Sequence, residues 1–192
     1  MLSYKEFKKG YLNEWVDRSQ AARKAAEELA KKEVKPSLRD TYVLPTADNP
    51  DLVFTLDGHK VEFKGENEKN PKDKKYDFFT YDEAIKCFGE PDLKDGWRLP
   101  TKEELEALCH YSFKFDEDSK QGVIDKRLYL PAMGIRTCDG NVYCVGSDGY
   151  YWSSTPDGLD RAWRLCFYSG TVGMYCNYRC CGQSVRLVRD VK

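Results

Sequence analysis

Between Arg127 and Val191 the chain has no lysine and no glutamate, although both are frequent up to Lys126. Tyr, Cys, Gly, Ser, Asp and Arg stand in their place, and from Ala162 they alternate with large apolar residues. Trp163, Leu165 and Phe167 take one parity, and Arg164, Cys166 and Tyr168 the other. After Ser169-Gly170, Val172 and Met174 continue the first set, while Thr171, Gly173 and Tyr175 continue the second. The chemistry of the second set is recognition. Tyrosine offers a large amphipathic contact area with few rotors, and arginine a planar fork of hydrogen-bond donors. Cysteine adds a sulfur able to form disulfides or bind soft metals. The candidate ligand-facing residues are Tyr151, Asp160, Arg164, Cys166, Tyr168, Thr171, Gly173, Tyr175, Cys176, Tyr178, Cys180 and Cys181.

Strands must position them, because a period of two puts successive side chains on opposite faces of a sheet. One face would lie in the core through Trp152, Trp163, Leu165, Phe167, Val172, Met174, Val185 and Leu187, leaving the other exposed. Ser184 to Arg189 is expected to form the last strand, with Arg186 and Arg189 pairing to Asp157, Asp160 or Asp190. Gly149 and Gly182 are expected in turns with positive φ. Upstream, Leu52 to Leu56, Asp57-Gly58 and Lys60 to Phe63 spell a hairpin with a primed turn. Residues 64–75 read as a charged, mobile loop. A short helix runs from Thr80 to Phe88, and Trp97 and Leu99 alternate as a strand entering the core. A capping box at Thr101 and Glu104 opens a second helix with Leu105 and Leu108 inside. Cys87 and Cys109 look like small core residues on helix faces. Near the N-terminus a narrow stripe of Ala21, Ala22, Ala25, Ala26, Leu29 and Ala30 predicts a helical arm within residues 1–40. That arm suits oligomerisation or attachment to a virion, or packing back on residues 41–192.

A formal charge of −1 with mixed signs gives no argument for nucleic acid. No apolar run reaches membrane-spanning length, so no membrane insertion is expected. The first residues lack the apolar stretch of a secretory signal, which points to the cytoplasm or a phage virion, and to reduced thiols. The eight cysteines lack zinc-ribbon spacing, and His59 and His110 are isolated, so neither metal nor cofactor is expected. The partner would be a protein or another surface ligand.

The second residue set also has a genetic description. An asparagine codon, AAC or AAT, whose adenines become any base yields Tyr, Cys, Gly, Ser, Thr, Arg and Asp, but never Lys, Glu, Gln, Trp or Met. Trp163 and Met174, outside that range, lie on the apolar parity. A tyrosine-rich sheet is also poor in Lys and Glu through β-propensity. In this respect the chain resembles the variable proteins of diversity-generating retroelements, in which a reverse transcriptase rewrites the C-terminal part of the gene at template adenines. Gly96-Trp97-Arg98-Leu99-Pro100-Thr101 before a helix, then Gly149-Tyr150-Tyr151-Trp152-Ser153-Ser154-Thr155-Pro156, the strand from Ala162 and a closing Ser184 to Arg189 are similar to bacterial C-type lectin-like domains over about residues 76–192. The resemblance implies an α+β fold: a small twisted antiparallel sheet, two flanking helices and a loop-rich C-terminal half, with a variable region at about 150–189. It implies ligand binding and no enzymatic activity. Glu90-Pro91-Asp92 is in the wrong place for a lectin calcium triplet and reads as a turn. Two alternatives are a fixed lectin-like adhesive module and a copper oxidase resembling formylglycine-generating enzyme, for which Cys176 and Cys180 would be the thiol pair.

Overall fold

The computed structural model describes residues 52–90 and 94–191. The expected N-terminal arm and the turn at residues 91–92 lie outside them. The described chain is α+β, with short antiparallel sheets and two helices. Strands β1 (Val53–Leu56) and β2 (His59–Phe63) form the expected hairpin. Asp57 and Gly58 have φ of 47° and 79°, the left-handed pair that a primed two-residue turn requires. Next come helix α1 (Tyr81–Phe88), helix α2 (Lys102–Leu108) and a three-stranded sheet of β3 (Phe113–Asp116), β4 (Gln121–Ile124) and β5 (Leu128–Pro131). A small hairpin, β6 (Ile135–Arg136) with β7 (Val142–Tyr143), precedes the long strands β8 (Asp148–Asp157), β9 (Arg161–Tyr168) and β10 (Thr171–Tyr178). These three form one sheet in the order β10-β9-β8, and β11 (Val188–Asp190) closes the chain against β2.

The long sheet is covered on both faces. Leu165, Phe167 and Tyr151 point into one core with Leu105 and Leu108 of α2, Ile124, Leu128 and the first hairpin. Tyr150, Trp152, Ala162 and Cys166 point into a second, with Tyr81 and Ala84 of α1, Ile135, Val185 and Leu187. The helices thus flank the sheet from opposite sides. Both begin with capping boxes, Thr80 with Glu83 and Thr101 with Glu104, which satisfy amide donors that a helix start leaves open.

The Trp152-Ser153-Ser154-Thr155 run is the joint between sheet and helices. The β8–β9 register shifts between Trp152 and Pro156. There the Ser154 amide donates to the Pro100 carbonyl at 2.8 Å, and the Lys102 amide to Thr155 Oγ1 at 3.0 Å. Tyr81 donates its hydroxyl to the Ser154 carbonyl at 2.7 Å. The hydroxyls of Thr155 and Ser153 are used here, the first by the Lys102 amide and the second in donating to the Trp163 carbonyl at 2.8 Å.

Several local expectations are corrected. Residues 64–75 are fastened to the C-terminal segment: the Lys64 amide donates to the Leu187 carbonyl and the Glu68 amide to the Val185 carbonyl, each at 2.9 Å. Buried Arg186 explains this, since its Nε donates to Asn67 Oδ1 and its Nη1 to the Lys64 and Gly65 carbonyls. Arg186 therefore pairs with no aspartate, and Arg189 takes Glu62 at 2.6 Å. Only Val188–Asp190 of the expected last strand forms a ladder, because the preceding residues are threaded through the interior. Cys87 is exposed, while Cys109 packs against the first core. Gly149 and Gly182 do not have positive φ. Gly149 is small because a Cβ there would sit 2.1 Å from the Phe167 ring, and Gly182 because the Arg136 guanidinium would be 2.9 Å away.

His59, half-exposed beside that first turn, meets buried Glu104 at 2.9 Å. Its pKa is raised above 6.5, first by that hydrogen bond and then by the Asp57 carbonyl. Its contribution to stability is therefore fully present below about pH 6.5 and is lost as pH rises through the higher folded value. Thermal unfolding should show a small loss of stability over that interval, and His59→Gln should abolish this component of the pH dependence. An unchanged profile in the variant would exclude His59 as its source.

Candidate ligand-binding face

The Ser169-Gly170 turn, with φ of 44° and 80°, fixes β9 and β10 in unbroken register from Thr171 opposite Tyr168 to Tyr178 opposite Arg161. Residues directly opposite each other share a face. Arg164, Cys166 and Tyr168 therefore lie with Thr171, Gly173 and Tyr175, as expected. Cys176 and Tyr178 lie with Trp163, Val172 and Met174 on the other face, which corrects their assignment to one continuous surface. The candidate residues on β10 thus project to both sides of an edge strand.

Burial divides the set further. Tyr151, Cys166 and Cys181 are 2–4% exposed and belong to the cores, so their expected solvent-facing position is corrected. For Cys166 and Cys181 the physical reason is the second core, supplied by Phe79, Tyr81, Ile135 and Val185 from distant parts of the chain, whereas Tyr151 lies opposite Leu165 and faces the first core. Tyr151 donates its hydroxyl to the Pro131 carbonyl at 2.7 Å, and burial pushes its pKa up to about 12. The Cys166 thiol is likewise pushed up to about 12 by burial, despite the opposing effect of Arg164. Tyr175 and Tyr178 are 44% and 53% exposed. Thr171 and Asp160 are exposed, and Arg164, Tyr168, Gly173 and Cys176 are half-buried. Trp163, expected inside, is half-buried beneath the Lys102 ammonium at 4.3 Å.

Arg164 is held without a salt bridge among the described residues. Its guanidinium stacks 4.4 Å from the Tyr150 ring centroid, while Nε and Nη1 meet no acceptor. Tyr175 shares a hydrogen bond with Tyr168, which is the main cause of its raised pKa. At the opposite end, Arg179 donates to the Leu159 carbonyl and pairs with Asp82 of α1, and its amide bonds the Asp160 carbonyl. That fixes the β8–β9 turn, where Leu159 is 94% exposed beside Asp160. Leu159 was not among the expected residues, although a leucine within Asp157-Gly158-Leu159-Asp160 is an apolar residue in a polar turn. A surface depression of about 360 Å³ is lined by Lys69, Asn70, Pro71, Lys74 and Asp77 and by none of these residues.

The cysteines correct a further expectation. Cys138 and Cys180 form a disulfide, so the thiols are not all reduced. Cys180 is thereby committed to the β6–β7 hairpin, while Cys176 meets Asp157. The thiol pair that an oxidase would need from Cys176 and Cys180 is divided between two places. No helix among the described residues is long and apolar enough to cross a membrane.

The fold and its tyrosine-bearing edge define an α+β domain that offers a broad, mixed surface on a closed frame. The family follows from the sequence match: residues 63–189 match the Lcl C-terminal domain, and the chain belongs to that family. This supports the resemblance to retroelement variable proteins, a group of binding modules that is not a known enzyme family. No curated protein and no solved structure matches the chain.

Proposed function

We propose that the chain is a ligand-binding protein of C-type lectin-like architecture, with exchangeable side chains at Asp160, Arg164, Tyr168, Thr171, Gly173, Tyr175, Cys176 and Tyr178, diversified by adenine-directed rewriting of the gene. The observation that carries this is the contrast between two glycines. A Cβ at Gly173 would meet the Tyr175 ring at 3.4 Å, an ordinary contact, whereas at Gly149 it would enter the Phe167 ring. A side chain can therefore be added at Gly173 on the β10 edge and not at Gly149 on β8.

Replacing Arg164 orphans no carboxylate, because its guanidinium rests on an aromatic ring. Exposed aromatic area at Tyr175 and Tyr178 suits a protein surface, and a rigid sheet limits the ordering cost of binding. The partner is proposed to be a protein, with the N-terminal segment supplying attachment.

A displayed library randomised to NNY codons at Asp160, Thr171, Gly173, Tyr175, Cys176 and Tyr178 tests this. Most clones should resist protease as the parent does, because exposed substitutions shift stability by about half a kcal/mol. Sorting against immobilised purified proteins should then recover binders. General loss of protease resistance, or a folded library with no binders to any target, would favour a fixed lectin-like module.

A further inference from the structure

We propose that Cys138, Cys180 and Cys181 form a thiol–disulfide exchange site in which Cys181 displaces Cys180 from Cys138, leaving Cys180 as an exposed thiol open to a disulfide-bearing partner. This does not depend on the ligand-binding function. Cys138 and Cys180 are joined, and Cys181 Sγ stands 3.7 Å from Cys138 Sγ, on the sulfur that a displacement of Cys180 must attack. All three sulfurs lie within 4.8 Å of one another. Exchange proceeds by a thiolate meeting one sulfur of a disulfide, so this proximity supplies the bimolecular encounter in advance.

The backbone holds the sulfurs together. Arg136 and Gly182 exchange both of their hydrogen bonds, at 2.9 and 2.7 Å, next to the two cysteine-bearing segments. Arg136 is itself anchored by Asp73 at 2.5 Å. Because Cys180 and Cys181 are adjacent in the chain, Cys138 can change partner through side-chain rotation with the hairpin in place.

In the step, the Cys181 thiol gives its proton to solvent and its thiolate forms a bond to Cys138 Sγ. The Cys138–Cys180 bond breaks, its electron pair leaves with Cys180, and Cys180 takes a proton from solvent. One disulfide is consumed and one formed, so no oxidant is needed. Cys181 is buried while Cys138 and Cys180 are exposed, so exchange moves the free thiol from the interior to the surface. Burial raises the Cys181 pKa, Arg164 and the Cys138 backbone oppose the rise, and Asp139 adds to it. Exchange should therefore be slow near neutral pH and faster in mild alkali.

The oxidised full chain, held at a series of values from about pH 7 to about pH 9, is quenched in acid and labelled with N-ethylmaleimide. Fragment ions of tryptic peptide 180–186 then report whether Cys180 or Cys181 carries the label. The expected result is label on Cys181 at first, with Cys180 label growing faster at higher pH. Cys181→Ser should eliminate Cys180 label, and oxidised Cys180→Ser should contain a Cys138–Cys181 disulfide. Absence of Cys180 label from the parent throughout this range, equal label in Cys181→Ser, or two free thiols in oxidised Cys180→Ser would each overturn the proposal.

Discussion

Truncating Arg186 to alanine is expected to lower the stability of the domain by about 1–3 kcal/mol for each buried acceptor left without a donor, several kcal/mol in all, because those acceptors have no substitute partner. The side chain is almost fully enclosed, and its guanidinium donates to Asn67 Oδ1, the Lys64, Gly65 and Tyr129 carbonyls at 2.9–3.2 Å. Burial lowers its pKa, with the nearby Tyr151 hydroxyl and Glu66 and Glu68 opposing. Removing the fork leaves buried carbonyls unsatisfied and frees residues 64–67 from the C-terminal segment. Lysine cannot restore this, since a compact ammonium does not span the same acceptors. Chemical denaturation with the disulfide intact provides the measurement. A loss below about 1 kcal/mol would mean that water replaces the guanidinium at little cost.

Trp152→Ala should cost a similar amount, about 3–5 kcal/mol, through the cavity left in the second core. Its indole is fully buried, stands edge-on to Tyr81 at 5.6 Å and donates Nε1–H to the Phe79 carbonyl at 3.0 Å. The carbonyl keeps the Gln183 amide as a second donor, so lost packing outweighs the lost bond. Trp152→Phe should therefore recover a large part of the stability. Equal loss in both variants would shift the weight to the hydrogen bond. The contrast with exposed Tyr178, where alanine should be nearly neutral, separates frame from surface on one sheet.

What was legible in the sequence was local. Both capping boxes, the primed turn at Asp57-Gly58 and the strand from Ala162 depend on residues within a few positions of each other, and the structure reproduces them. What was not legible was which layers cover the sheet. Period two separates two faces but does not say that the second meets solvent, and Cys166, which lies in a core, was misplaced for that reason, while Tyr151 lies on the first face, opposite Leu165. Counting parity through Ser169-Gly170 does place Cys176 and Tyr178 beside Met174, so that part was available and was missed. The arginine partners were hidden by distance along the chain: Arg186 reaches Asn67, Arg189 reaches Glu62 and Arg179 reaches Asp82. The Cys138–Cys180 bond likewise spans 42 residues and follows no short-range spacing.

The central claim is that one set of positions changes while the frame stays fixed. The most direct measurement is the DNA sequence flanking this gene, searched for a near-copy of codons 150–189 beside a reverse transcriptase gene. The account predicts AAC or AAT in the copy at Arg164, Tyr168, Thr171, Gly173, Tyr175 and Tyr178, and codons matching the gene at Trp152, Leu165 and Phe167. A copy whose adenines fall on those core codons, or flanking DNA with neither copy nor reverse transcriptase, would contradict it.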